Sequence, residues 1–481
     1  MGQEGNDVAV VGSEEAAVRK LSGIDADMLY GETPTWHMHI GALTILDPST
    51  MPGGFDYEGA RRQVAALAAD VLPLRERLLE VPFGLDRPSW VDDPGFDVDA
   101  HLHRAALPPP GGSHELAELA GALASVKLDR SRPLWEMWFI EGLEHGYVAV
   151  LTKIHHACAD GVGGALLMGQ MLTIEPRPAP SEMPPPSPGE TIPSGVRMLA
   201  GVVPSFATLP LRVVRTLGRT ATSAWRLARR PRSDSDVPAA LPFRAPHTVL
   251  NHPVTSRRSV AFADLPLADV KAVSHAFDAT VNDVVLALCG GALRRYLAGR
   301  EELPDAPLVA TVPVSVRTEE TFTSFGNMVS GWFANLATDV DDPAARLLVI
   351  RDAARSAKRM YESGVEDVVM DWADLPAPAL WAAAVRLYVW SHLSERFPPI
   401  FNLLVSNVPG PPMQLYAGEA RVVAVYPFGP VLDSIGLNIT VLSCGATIDF
   451  GIMTCPELVG DVWSLADGFH EALVELVKAA G

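Results

Sequence analysis

The chain has 481 residues, 48% hydrophobic and 20% charged, which is too long for one ordinary core and predicts a globular protein of two or three domains. A formal net charge of −19 disfavours a nucleic-acid partner, whose phosphates require basic surface. The four cysteines, Cys158, Cys289, Cys444 and Cys455, form no CxxC pair and fit a reducing compartment without a disulfide framework.

The opening residues, MGQEGNDVAVVGSEEAAVRK, lack a basic stretch followed by a long apolar core, so no signal peptide is expected. No uninterrupted apolar run reaches the length of about 18 residues that a spanning helix needs. Along the first half, apolar runs predict strands at GALTIL (41–46) and YVAVLTKI (147–154), and helical periodicity covers 57–71 and 114–128. Along the second half, strands are expected at 307–316, 401–408, 436–444 and 446–454, the last two as a hairpin around Gly445. Helices are expected at 282–299, 342–361 and 465–480. Hairpins and helical crossovers together give a mixed α/β class with sheets of mixed direction.

A proline-rich stretch, PRPAPSEMPPPSP (176–188), cannot continue a helix or enter a sheet interior and reads as a linker. The division is therefore 1–175, a connection over 176–245, and 246–481. Within the connection, Thr191 to Arg232 holds eight arginines and no acidic residue, so the rest of the chain is more acidic still. Arg212, Arg215, Arg219 and Arg226 recur at helical spacing among apolar residues, and Pro204 and Pro210 are expected to break the segment into short pieces. Two readings stand: an amphipathic segment on an anionic membrane, or a helix packed on the acidic body of its own protein.

The strand at 147–154 runs into HHACADG (155–161). Neighbouring residues on a strand point to opposite sides, so one histidine can enter a cleft while the other packs behind it. Ala157, Cys158 and Ala159 allow a tight bend, and Gly161 permits close approach. Asp160 can cap the following helix or hold a histidine or a cation. A metal site has no HExxH or clustered cysteines to support it. Cys158 as nucleophile has poor geometry beside a diverging histidine. A histidine general base acting on a hydroxyl or amine remains, against the plain alternative of a structural pair.

HHACADG fits HHxxxDG, the signature of the coenzyme-A-dependent acyltransferase superfamily, and the chain resembles its wax ester synthase/diacylglycerol acyltransferase branch. LSGIDADMLYGETPTWHMHIGAL (21–43), RPLWEMWFIEGL (132–143), TVNDVVLALCGGALRRYL (280–297), VPVSVR (312–317), SNVPGP (406–411) and GLNITVLSCGATIDFGIMTCPELV (436–459) resemble that family's blocks in the same order. The resemblance implies two α/β domains, each like chloramphenicol acetyltransferase, with a tunnel between them. It implies acyl-CoA as co-substrate and a lipid alcohol as acceptor, giving triacylglycerol or wax ester; with no phosphate-binding loop or metal-ligand cluster in the sequence, no bound cofactor or metal is expected beside them. His156 matches the catalytic base, with His155 in support. Asp160 matches the family aspartate, read as holding the loop through an ion pair with Arg317. Asn282 and Asp283 are either a helix cap or tunnel residues. Pro133, Leu134 and Trp135 are candidates for the substrate tunnel, with a role in shaping the core or the domain contact favoured over substrate contact, and Ser406 and Asn407 fall near the donor channel.

No GxGxxG or GxxxxGKS/T loop occurs, which argues against a dinucleotide or ATP cofactor, and GxSxG is absent too. The expected setting is cytoplasmic, at the inner membrane face or on lipid droplets. Alternatives on the same fold are acyl transfer to a polyketide-type alcohol and a condensation domain of peptide synthesis. A non-catalytic lipid-binding homologue is a different class.

Overall fold

The computed structural model describes residues 19–158, 169–185, 189, 192, 195–228, 244–315, 329–361 and 378–481. The first half runs β1 (Arg19–Lys20), α1 (Gly23–Gly31), β2 (His39–Asp47), α2 (Tyr57–Asp70), β3 (Glu76–Leu79), β4 (Ser89–Asp92), β5 (Leu102–Ala106), α3 (Ser113–Ala124), β6 (Trp135–Glu141) and β7 (Val148–His155). Helix α4 (Gly195–Ala228) leads to the second half. That half begins β8 (Ser259–Pro266), α5 (Leu267–Ala276), α6 (Val281–Ala298), β9 (Val309–Ser315), β10 (Val329–Asn335), α7 (Pro343–Tyr361) and α8 (Pro378–Trp390). It ends with β11 (Leu403–Val408), β12 (Tyr416–Ala417), β13 (Ala420–Phe428), β14 (Leu437–Cys444), β15 (Thr447–Thr454) and α9 (Val462–Ala480).

Two six-stranded sheets organise these elements, ordered β12-β13-β2-β7-β6-β5 and β10-β9-β11-β14-β15-β8, beside a three-stranded β1-β4-β3 sheet. Both large sheets are mixed: β5 is parallel to β6, and β11 is parallel to β9 and β14, while their other pairings are antiparallel. The β14–β15 hairpin closes at Cys444 opposite Thr447, and Gly445 takes a positive φ of 58° at the first corner.

Strand β7 is central because it is apolar on both sides. Val150 and Ile154 pack into one buried cluster, while Ala149 and Leu151 pack into another with α3, β8 and β13. The second half has its own core, in which α6 and α9 cover β9, β11, β14 and β15. Helix α6 starts in a reciprocal cap: Thr280 Oγ1 accepts from the Asp283 backbone N–H at 3.2 Å, and Asp283 Oδ2 accepts from the Thr280 N–H at 2.8 Å.

The halves are interlocked. Strand β13 pairs with β2 from Arg421 opposite Asp47 to Phe428 opposite Gly41, so chain from the second half completes the first sheet. As β13 crosses β15, Asp449 Oδ2 accepts from the Val425 N–H at 2.8 Å. A Cβ on Gly451 would overlap the Pro427 carbonyl, so only glycine admits this crossing. Arg258 is buried and ties β8 to the first half: its N–H donates to Ser125 Oγ at 2.8 Å and its guanidinium to the Thr35 carbonyl at 2.5 Å.

One sequence expectation fails here. Residues Gly195–Ala228 form a single helix of 34 residues, not short pieces broken at Pro204 and Pro210. A proline in a helix removes one donor and leaves a carbonyl short; Pro210 is on the exposed side, where water can supply that bond. Among the described residues, no single helix is long and apolar enough to cross a membrane.

Candidate active site

The histidine pair lies where β7 ends. His155 is its last residue and pairs with His39 of β2, and His156 opens the following turn. Backbone bonds from both neighbouring strands fix this end: the His155 N–H donates to the Leu134 carbonyl at 2.9 Å, and the His156 N–H to the Met38 carbonyl at 2.7 Å. The Cys158 N–H then bonds back to the His155 carbonyl at 2.9 Å and closes the turn.

The two side chains are treated differently. His155 is buried, and its Nδ1 accepts the Ala157 N–H at 3.1 Å. An accepting Nδ1 carries no proton, so a neutral ring is protonated at Nε2. Burial first, and then the charges of Arg130 and His156, pull this imidazole well below its ordinary pKa. His156 is only half-buried, although its Nδ1 is shielded from solvent. The first histidine is thereby a neutral support, and the second is the one that can meet another molecule. Cys158 is buried, and burial pushes its thiol far up, away from the thiolate that nucleophilic chemistry needs.

A polar layer that motif reading misses stands behind the pair. Lys153 lies on the same side of β7 as His155 and is 2% exposed. Its ammonium reaches Glu136 at 2.6 Å and caps the end of α3 through the carbonyls of Leu123 at 3.1 Å and Val126 at 2.8 Å. His37 Nδ1 approaches the Ala124 carbonyl of that helix at 3.4 Å. His39 is fully enclosed, and its imidazole is lowered by burial first and then by Lys153. The signal lies in WHMHIGAL, where His37 and His39 alternate at the entry to β2, but only the register of His39 opposite His155 gives it meaning.

Pro133, Leu134 and Trp135 are all buried. Trp135 Nε1 donates to the Leu74 carbonyl at 2.8 Å, and its ring stacks on His101 at 4.5 Å. These residues therefore shape the interior and brace His155. Asp283 is a buried cap residue. Asn282 and Asn407 are brought together from α6 and β11: Asn407 Nδ2 donates to Asn282 Oδ1 at 3.3 Å. Ser406, half-buried, lies opposite Thr440 of β14. Asp160, Gly161 and Arg317 lie outside the described residues, as does the ion pair expected between the first and last of them. Among the described residues, no group of three or more His, Cys, Asp or Glu side chains could hold a metal.

The chain is similar to known proteins both in sequence and in fold. Residues 21–285 match the wax ester synthase/diacylglycerol acyltransferase catalytic domain, and residues 325–477 match the C-terminal domain of the same proteins. Two Mycobacterium tuberculosis proteins that carry the provisional name diacylglycerol O-acyltransferase are 40% and 38% identical, over 97% and 96% of this chain and 91% and 100% of theirs. The wax ester synthase/diacylglycerol acyltransferase of Marinobacter aquaeolei VT8 superposes with a TM-score of 0.68 at 29% identity, covering 96% of this chain and 100% of that one. The first condensation domain of the calcium-dependent antibiotic synthetase shares the fold, with a TM-score of 0.56 at 16% identity over 96% of this chain and 97% of that one.

Proposed function

The chain belongs to the wax ester synthase/diacylglycerol acyltransferase family and is an acyltransferase, and on that footing we propose that it moves a fatty acyl group from acyl-CoA to the hydroxyl of a lipid alcohol, with His156 as general base. The acceptor is a diacylglycerol, giving triacylglycerol, or a long-chain alcohol, giving a wax ester. The observation that carries this reading is the asymmetry of the pair: His155 is sealed and neutral, while His156 sits half-buried in a turn pinned from two strands.

In the proposed reaction, Nε2 of His156 takes the acceptor's hydroxyl proton as that oxygen attacks the thioester carbonyl. The new C–O bond forms while the carbonyl oxygen takes up charge. The C–S bond then breaks, and the imidazolium returns the proton to the departing sulfur. The products are an ester and free CoA, with no acyl-enzyme and no added cofactor. Asp160 is proposed to hold the loop that carries His156, with Arg317 as its partner. Asn282, Ser406 and Asn407 are proposed along the substrate route.

The test is product analysis with radiolabelled palmitoyl-CoA and dioleoylglycerol or hexadecanol offered separately and together. Labelled triacylglycerol, wax ester or both supports the reading, and the ratio in competition identifies the acceptor. Release of free fatty acid alone contradicts transfer to a lipid alcohol.

A further inference from the structure

Helix α4 turns a stripe of large apolar side chains to water. A surface helix ordinarily turns its apolar stripe to the core and its charges to water. Here Leu211 and Val214 are 72% and 67% exposed, with Leu217 exposed on the same stripe. Arg212 and Arg219, by contrast, are half-buried. Helix α8 likewise leaves large apolar side chains in water while packing an apolar side inward. Its inner side packs on α1, where Trp381 Nε1 donates to the Asp27 carbonyl at 2.9 Å, and Tyr388 meets Trp36 edge-on at 6.1 Å. Its outer side, with Leu380, Leu387 and Trp390, is exposed as well.

The two helices start at one place. A Cβ on Gly195, the first residue of α4, would lie 3.9 Å from Pro82 Cγ, and one on Gly84 would lie 3.4 Å from Ala379 Cβ, next to the start of α8. Between those contacts Phe83 holds a φ of 63° and is 84% exposed. Positive φ is costly for a bulky residue, and here it accompanies an aromatic ring held in water. Neither helix contains an acidic residue, although the chain carries a net charge of −19, and Arg215 and Arg386 are exposed beside the apolar side chains.

We propose that the outer faces of α4 and α8, joined at Phe83, form a docking surface for an anionic lipid layer. Phe83, Leu211, Leu387 and Trp390 enter the acyl region, and Arg215 and Arg386 lie at the phosphates. The proposal rests on the lipid-acceptor reading above, and it gives that acceptor a phase from which to enter. Local charge selects this occupant over a symmetric second copy of the chain: Arg215 and Arg386 meet phosphates on an anionic layer, whereas two copies of this face would set arginine against arginine.

The test is flotation of the full chain with vesicles of phosphatidylcholine alone or mixed with phosphatidylglycerol. Transfer to a water-soluble short-chain alcohol and circular dichroism are measured on the same preparations. The wild type floats with the mixed vesicles, and less with phosphatidylcholine or at high salt. The combined variant Phe83→Ser, Leu211→Ser, Leu387→Ser, Trp390→Ser loses partitioning by at least about tenfold, with its fold and its short-chain activity unchanged. Arg215→Glu with Arg386→Glu removes the preference for the anionic lipid. Equal flotation of wild type and apolar variant overturns the proposal. So does a wild type that never floats, or a wild-type dimer that the variant splits without any vesicle binding. Flotation as expected with no transfer to any alcohol keeps the docking surface and sinks the acceptor reading instead.

Discussion

The Nδ1 atom of His155 accepts the backbone N–H of Ala157 at 3.1 Å, so the first histidine of the pair holds the turn that presents the second. The two histidines should therefore fail in different ways. His155→Ala leaves a buried N–H without its acceptor and opens a cavity, and should cost about 2–4 kcal/mol of stability. His156→Ala removes a half-buried ring and should cost less than about 1 kcal/mol, while slowing transfer by about 10²- to 10⁴-fold. Urea unfolding of both variants beside their turnover separates the roles. Equal destabilisation would contradict the division.

Asp449 gives a pH signature at the crossing of the halves. Its carboxyl accepts from the Val425 N–H through Oδ2, and Oδ1 has no partner among the described residues. Burial pushes its pKa up from 3.8 to about 7. A group raised in the folded state contributes fully below its unfolded value, and that contribution is lost as pH rises through the folded value. The Asp449 contribution should therefore decline between about pH 4 and pH 7, by on the order of 2 to 4 kcal/mol. Asp449→Asn keeps the acceptor for Val425 and removes the charge. It should flatten this part of the stability profile and raise the melting temperature above neutral pH. An unchanged profile would show that the carboxyl titrates normally.

Gly451 marks the same crossing sterically. Gly451→Ala forces β13 and β15 apart at Pro427, a backbone overlap with no flexible side chain to yield. The expected loss is about 2–4 kcal/mol, read by thermal unfolding. Retention of wild-type stability would mean that the crossing can widen freely.

Asn282 and Asn407 join α6 to β11 through a 3.3 Å hydrogen bond. A double-mutant cycle to alanine should show a coupling of about 0.5–1.5 kcal/mol. If the pair also lines the substrate route, KM for the acceptor should rise in both single variants. Coupling without any kinetic effect would leave the pair a purely structural tie.

Much of this architecture is legible along the chain. The apolar run of β7 and the Gly445 corner depend on local patterning, and sequence reading places both; at the start of α6 it offers Asn282 and Asp283 as the cap, whereas the cap residue is Thr280, with Asp283 as its reciprocal partner. Strand β13 escapes it because its partner, β2, lies in the other half of the molecule, and no local period encodes such a pairing. Helix α4 escapes because two prolines suggest breaks, whereas a largely exposed helix tolerates the lost donors. The motif carries His156 into view directly. Lys153, His37 and His39 acquire their meaning only through register and burial, since a lysine within an apolar run gives no hint that it caps α3. The Asn282–Asn407 contact joins residues that sequence alone could only set side by side as candidates.

Whether His156 takes the proton from the acceptor hydroxyl is read from single-turnover CoA release from palmitoyl-CoA. Wild type and His156→Ala are compared with and without the preferred acceptor, with circular dichroism confirming that both are folded. Wild type should release CoA in an acceptor-dependent way, and the variant should be slower by about 10²- to 10⁴-fold. Equal release by the two proteins would contradict that role for His156.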